Sequence, residues 1–392
     1  MRTATASTAR RSGTGSGPAE AVVRVLVLNV GSSSLKAARF VVEDGAAQPR
    51  WRGSLPREPG TPVAETAAAL LAEPGALGDG VDAIGHRVVH GGRRFVEPVC
   101  LDADVRAALA ALGALAPLHN PPALEAIDAL TARLPDLPAV AVFDTAFHAR
   151  RPPEARLYPL PATVREAFGL DAFGFHGLAH EALTRAVADA EGVEVDAVDA
   201  VTLQLGSGCS GCAVRAGRSV ETSMGFSPLG GLPMATRSGD LDPGVVLALL
   251  REGHDAASLE TLLSRESGLL GLGGSGDVRE LLAREAAGDE AAATALALFV
   301  RRIVLLAGAY FTLLEGRGAL VFGGGIGTHS AELRARICAG LGSWNVRLDP
   351  ARNAAGAPGR LSEDGARPVH VFETEEESLV ARRTAATLAG GA

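Results

Sequence analysis

Leu28-Asn29-Val30-Gly31-Ser32 returns 175 positions later as Leu203-Gln204-Leu205-Gly206-Ser207. Each copy closes an apolar run, 22–30 in the first case and 198–205 in the second. Each sets an amide side chain between two apolar residues, turns on a glycine, and enters a second run at Leu35 or Gly211. Strand, glycine turn and strand read as a β-hairpin, and two copies predict a duplicated α/β chain whose paired turns face one ligand. A third turn, Val321-Phe322-Gly323-Gly324-Gly325-Ile326-Gly327, follows an apolar run and precedes a helical pattern. Bare backbone N–H groups at such a place suit a phosphate or a close-packed nucleoside.

The first turn leads to Lys36, the single lysine among 37 basic residues. Arginine has replaced lysine everywhere else, so the surviving one points to work that a compact point charge does better than a planar fork. A single phosphate oxygen held in a tight turn is such work. The plain alternative is a surface lysine kept by chance.

Apolar runs alternate with helical periodicity along the chain, which is the α/β pattern. Strands are expected at 22–30, 35–42, 83–89, 139–143, 198–205, 211–215 and 319–322. Helices are expected at 122–134, 177–190, 244–252, 278–286, 291–315, 330–341 and 376–388. The stretch 42–74 has no clear period. The 392-residue length predicts two or three domains with substantial cores. A net charge of −8 argues against nucleic acid or an anionic membrane as the main partner, while leaving room for a small anion held by local arginines. The apolar run 303–314, bordered by Arg301 and Arg302, is shorter than the ~20 residues of a membrane span and reads as a core helix. The first 20 residues are rich in Ser, Thr, Ala, Gly and Arg and lack an apolar face, so a disordered tail over 1–22 is expected. Four scattered cysteines do not make a disulfide framework. Cys209 and Cys212 form one C-x-x-C, but in a strand their odd spacing sends the thiols to opposite faces, against a redox or metal pair.

Several further stretches occur in order: GHRVVHGG, LAPLHNPP, VFDTAFH, YPLP, FGFHGLAHE, SMGFSPLGGLPMATRSGDLDP, FGGGIG and TEEES. Together with LNVGSSSLK they resemble the acetate kinase family, of the actin-like, sugar kinase and Hsp70 ATPase superfamily, from Val25 to Thr387. The resemblance implies a duplicated, ribonuclease H-like two-domain fold around a cleft. One domain would cover 23–147 and recover the C-terminal helix 376–392, and the other would cover 148–375. It implies Mg²⁺-dependent (or Mn²⁺-dependent) transfer of the ATP γ-phosphoryl group to acetate or propionate. A homodimer in the cytoplasm is implied as well.

By the same resemblance Asn29, Ser32, Ser34 and Lys36 belong to the first phosphate hairpin. Gln204, Gly206, Ser207 and Gly208 belong to the second, and Gly324, Gly325, Ile326 and Gly327 to the nucleoside turn. Arg87 and Arg237 resemble the arginines that hold the carboxylate and the phosphoryl group. Asp144 and Glu376 match the acidic pair, with Glu376 and Asn29 implied in metal binding. His176 resembles the histidine that donates to the transferring group, with His119 beside it. Val89, Leu118, Phe175 and Pro228 match the pocket for the substrate methyl.

The chemistry accounts for these residue types. A carboxylate is ionised at neutral pH, since it titrates near pH ~4, so its attack on phosphorus needs no general base. Two anions must instead be brought together in line, which calls for arginine forks, a divalent cation and a donor to the equatorial oxygens. His176 and His180 are also four apart, as in a helical zinc site, but the remaining ligands of such a site are missing.

Four positions depart from the family's pattern. Gln204 and Ser207 stand where the family usually has histidine and asparagine, and Thr328-His329 stand where Glu-Asn is common. These changes leave open pyrophosphate as donor, a propionate or butyrate preference, and a weakened nucleotide-binding regulatory protein.

Overall fold

The computed structural model describes residues 22–390 apart from 32–33, 59 and 117–118. Residues 1–21 of the expected 1–22 tail, Ser32 and Leu118 lie outside the described residues. The chain builds two six-stranded sheets of matching design. The first holds β1 (Val23–Val30), β2 (Ser34–Glu43), β3 (Ala46–Pro56), β4 (Ala83–Val88), β5 (Val99–Cys100) and β6 (Ala139–Phe143), in the order β3-β2-β1-β4-β6-β5. The second holds β7 (Ala200–Leu205), β8 (Cys209–Arg215), β9 (Arg218–Thr222), β10 (Ala319–Gly323), β11 (Gly359–Arg360) and β12 (Val369–Val371). Read from the opposite edge, its order is β9-β8-β7-β10-β12-β11.

In each sheet the opening hairpin is antiparallel and the next two strands run parallel to its first member. The echoed segments therefore occupy equivalent places. β1–β2 closes around Gly31, whose N–H donates to the Ser34 carbonyl at 2.8 Å. β7–β8 closes around Gly206, which donates to the Gly208 carbonyl at 3.0 Å. These are the duplicated hairpins expected of an actin-like fold.

Each sheet is covered on both faces. The outer face of the first packs Leu26, Leu28 and Leu35 against the helix Val63–Leu71 and the helix Asn120–Arg133. The outer face of the second packs Val201, Leu203 and Leu205 against the helix Glu290–Leu313. That helix is the one segment, among the described residues, long and apolar enough to cross a membrane. It extends well ahead of the 303–314 run and buries Phe299, Ile303 and Phe311 in the core of the second sheet.

The inner faces are covered by exchange. The helix Gly177–Glu191 follows the first sheet in the chain but lays Leu183, Val187 and Ala188 on the second. The helix Glu376–Gly390 follows the second sheet but lays Leu379, Val380, Ala381 and Ala385 on Val25, Val27, Phe40 and Val140 of the first. Gly85 permits this approach, because a Cβ there would lie 2.5 Å from Thr384 Oγ1 and 2.9 Å from Val380 Cγ1.

The stretch without a clear period resolves into β3 and the helix Val63–Leu71. β3 is an edge strand, mostly solvated, and carries Pro49 opposite a bulge at Arg39/Phe40, so it lacks clean alternation. The two cysteines of β8 do face opposite ways. Cys209 joins the core with Leu203, and Cys212 joins the one with Val187. Burial pushes both thiols up to about 12, which leaves them unreactive.

Candidate active site

The cleft between the sheets collects the charged residues. Asn29 and Arg87 are cross-strand partners in the parallel β1–β4 pair, so the register places them side by side. Arg87 Nη1 donates to Asn29 Oδ1 at 3.1 Å, while Nε and Nη2 grip Asp144 at 3.1 and 2.5 Å. Glu376 Oε2 lies 3.5 Å from Arg87 Nε, and Asn29 Nδ2 donates to Glu377 at 3.2 Å. Burial opposes the Arg87 charge, but Asp144 and Glu376 outweigh it and raise its pKa. Burial likewise pushes Asp144 up, and the charge of Arg87 and its two-point contact pull the other way.

Glu376 is the group left in excess. Burial, reinforced by Asp144 and Glu377, pushes it up to about 7 against the pull of Arg87 and Lys36. A hard, all-oxygen donor set short of positive charge fits Mg²⁺ or Mn²⁺. No three His, Cys, Asp or Glu side chains among the described residues form a dedicated metal cage. That suits magnesium, which is commonly held by one or two carboxylates plus substrate phosphates.

His176 caps the helix Gly177–Glu191 with a positive φ of 57°, a conformation that costs a non-glycine residue about 1–2 kcal/mol. Gly177 donates to the Asp144 carbonyl at 3.0 Å, which fixes the helix start beside the Arg87 cluster. Burial first, and then His180, Arg87 and Arg237, lower the His176 pKa to about 3, so the ring is neutral. A Cβ at Gly208 would lie 3.4 Å from His176 Nε2 and 3.6 Å from Arg237 Nη1, so the second hairpin, the imidazole and the guanidinium adjoin one small space.

Arg237 differs from Arg87 in its company. Its contacts are the Pro228 carbonyl at 3.4 Å and the Met234 sulfur at 3.6 Å. Among the described residues it has no carboxylate partner, and burial lowers its pKa. His119 lies near both arginines and is held at about 4 by burial and by their charges. Val89 and Phe175 are buried in one apolar cluster, with Pro228 beside Arg237. His180 is no metal ligand, since its ring nitrogens face Thr202 Oγ1 and Ser210 Oγ at 2.8 and 2.9 Å.

The glycine turn opens onto a cavity of about 890 Å³. Ser207, Asp277, Arg279, Gly325, Ile326 and His329 line it. Gly324 has a φ of +72°, and a Cβ there would strike the Leu205 carbonyl at 2.5 Å, so only glycine lets the turn lie on β7. Thr374 ties the turn to the second hairpin, donating to Gln204 Oε1 at 3.0 Å and accepting from Gly324 N–H at 3.1 Å. Gln204 thus has its oxygen committed, while its amide N–H₂ has no partner among the described residues. Ser34 closes the first turn, and Lys36 stands exposed on β2 opposite Asn29.

Three contributors were not singled out from sequence: Glu377, Thr374 and the Asp277/Arg279 wall. Glu377 and Thr374 could have been found inside TEEES, as the acid after Glu376 and as its opening residue; the Asp277/Arg279 wall carries no local signal.

The neutral histidines also bear on stability. Burial lowers the pKa of His86 to about 4 and of His148 to about 3. The unfolded chain binds these protons first, so stability present above pH ~6.5 is lost as pH falls toward those values, by about 2 kcal/mol per site at pH ~5. Thermal melts should therefore drop by several degrees between pH 7.5 and 5.0. Equal midpoints would contradict the assignment.

Comparison with known proteins agrees with this geometry. Residues 63–382 match the model of the acetokinase family. The chain is 44% identical to an acetate kinase of Micrococcus luteus over 92% of its own length and 98% of the relative's. It is 42% identical to an acetate kinase of Pseudarthrobacter chlorophenolicus, over 94% and 99%. Its fold superposes on a propionate kinase from Francisella tularensis with a TM-score of 0.83 and 33% identity, covering 92% of this chain and 99% of that one. The same score, at 32% identity and with 93% and 100% covered, holds for acetate kinase from Porphyromonas gingivalis. The chain belongs to the acetokinase family.

Proposed function

We propose that this protein is an acetate kinase, transferring the γ-phosphoryl group of ATP reversibly and directly to acetate or propionate. The observation that carries this reading is Arg237, a half-buried guanidinium with no carboxylate partner among the described residues, beside a neutral imidazole and a glycine turn. A cation left uncompensated in a cleft is prepared for an anion that arrives with the substrate. Arg87, already braced by Asp144 and Asn29, presents what remains of its fork at a fixed angle. Together they bring a carboxylate and a phosphate into one space, which is most of what this transfer requires. His176, neutral at working pH, offers one N–H to the equatorial oxygens as charge spreads over them.

Glu376 and Asn29 are the residues suited to hold Mg²⁺, whose bound charge would screen the phosphate oxygens. Val89, Phe175 and Pro228 suit a one- or two-carbon tail. The 890 Å³ cavity has room for a nucleoside, which favours ATP over pyrophosphate. The two sheets suggest two domains, 23–147 with the C-terminal helix and 148–375, closing over substrates in the cytoplasm.

Trapping of acyl phosphate by hydroxylamine tests the reading, with acetate, propionate or butyrate and with ATP or pyrophosphate, with and without Mg²⁺. Product with acetate, ATP and Mg²⁺ is expected. No product in any combination would refute the kinase and favour a regulatory nucleotide-binding protein.

A homodimer belongs to the same proposal. The helix Pro243–Arg251 buries none of its residues, and Val245, Leu247 and Leu250 are 44%, 50% and 45% exposed. Such a face needs cover, and a second copy is the proposed cover. Light scattering should give a dimer for the native chain and a monomer for Leu247→Arg. A monomeric native chain would overturn it.

A further inference from the structure

Ser210, on β8, stands between two histidine rings. Its Oγ lies 2.9 Å from His176 Nδ1 and 2.9 Å from His180 Nε2. His180 Nδ1 in turn lies 2.8 Å from Thr202 Oγ1. Ser210, His180 and Thr202 are each 0% exposed, so water does not compete for these contacts. A hydroxyl has one proton to donate, and a neutral imidazole has one donor nitrogen and one acceptor nitrogen.

Only two proton orders satisfy the whole row. In the first, Thr202 donates to His180 Nδ1, His180 Nε2–H donates to Ser210, and Ser210 donates to His176 Nδ1. His176 then carries its proton on Nε2, the atom adjoining Gly208 and Arg237. In the second, every donor is reversed, the Thr202 proton turns to the Cys212 carbonyl, and His176 shows a lone pair to the cleft. Thr202 Oγ1 is 3.4 Å from that carbonyl but 2.8 Å from His180. The longer contact lies at the weak end of hydrogen bonding and the shorter one near its optimum, which selects the first order. A nearby histidine follows the same rule: His148 Nε2 faces the Phe175 carbonyl at 3.0 Å and must be the protonated nitrogen, with Ser219 donating to Nδ1.

We infer that Ser210, backed by His180 and Thr202, is a positioning residue that holds His176 as its Nε2–H tautomer, aiming its single proton at the phosphoryl group in transfer. The inference rests on the carboxylate kinase reading above. Without Ser210 the ring is free to take either tautomer, and the wrong one meets phosphate oxygens with a lone pair.

Long-range ¹H–¹⁵N correlation spectra of histidine-labelled protein test it, with His176→Gln used to assign the ring. The native chain should show His176 protonated on Nε2 and accepting on Nδ1. Ser210→Ala should mix the tautomers and lower kcat ~10–100-fold, with KM for acetate and ATP changed no more than ~3-fold, because the lost effect belongs to the transition state. Ser210→Thr, which keeps the hydroxyl, should recover most of kcat. His180→Leu should behave like Ser210→Ala, and is read in its place if the alanine variant does not fold. His180→Gln keeps an N–H toward Ser210 and should be milder. A native His176 protonated on Nδ1, or an unmoved tautomer in Ser210→Ala, overturns the inference. Failure of the native chain to form acyl phosphate overturns the functional reading alone, because the spectrum needs no turnover.

Discussion

Arg237→Ala should lose about three orders of magnitude in kcat/KM while melting no lower than the native protein. The size follows from removing a cation that faces transferring phosphoryl oxygens, a loss of ~10³-fold or more where such arginines have been measured. The thermal result follows from the site itself. Arg237 is held by one long carbonyl contact and a sulfur contact, with no carboxylate to leave stranded. Removing a half-buried charge without a counter-ion relieves desolvation, so stability is kept or slightly raised. Arg237→Lys keeps the charge but not the fork and should fall between the two. Steady-state kinetics and a thermal melt check both halves. A strong drop in midpoint would show that Arg237 is a brace and not a substrate cation.

Arg87→Ala should be as inactive but, unlike the first variant, poorly stable. Asp144 is 1% exposed and takes two contacts from Arg87, and Asn29 Oδ1 takes a third. Stripping the guanidinium leaves a buried carboxylate unpaired, which costs about 3–5 kcal/mol. From sequence alone both arginine variants are expected to fold normally, and the ion pair corrects that expectation for Arg87. The double variant Arg87→Met/Asp144→Leu should regain most of the lost stability and none of the activity. Urea unfolding of the native chain, Arg87→Met, Asp144→Leu and the double variant measures the cycle. If Arg87→Ala alone matches the native midpoint, the Arg87–Asp144 pair contributes nothing to the fold.

The contrast between these arginines shows where sequence reading stops. The hairpins were legible because a strand of consecutive apolar residues, broken by glycine, has few other solutions; β1, β2, β7 and β8 all lie where the echo of Asn29 and Gln204 places them. The helices Gly177–Glu191 and Val278–Ala286 were legible for a similar reason, being bounded by Gly177 and Gly192 and by the Asp277 cap. β3 was not, since its solvated edge and Pro49 blur the period. The ordered motifs brought Arg87, Asp144, His176, Arg237 and Glu376 to notice one at a time. Their pairing depends on the β1–β4 register, which sets Asn29 against Arg87, and on two long returns of the chain. The lack of a partner for Arg237 is an absence, and no local pattern announces an absence. Lys36 shows the opposite case. It stands out by composition, yet it is exposed and makes no side-chain ion pair among the described residues.

The exchange of helices between the sheets also bears on synthesis. The ribosome completes the first sheet at Phe143, but the helix that seals Val25, Val27 and Val140 begins at Glu376. While the intervening 232 residues emerge, that greasy surface must stay open, be screened by a chaperone, or be covered by a stand-in. The nascent chain therefore carries this aggregation-prone surface until Glu376–Gly390 has emerged, and a frameshift or stop ahead of that helix would release a product whose first sheet is unsealed.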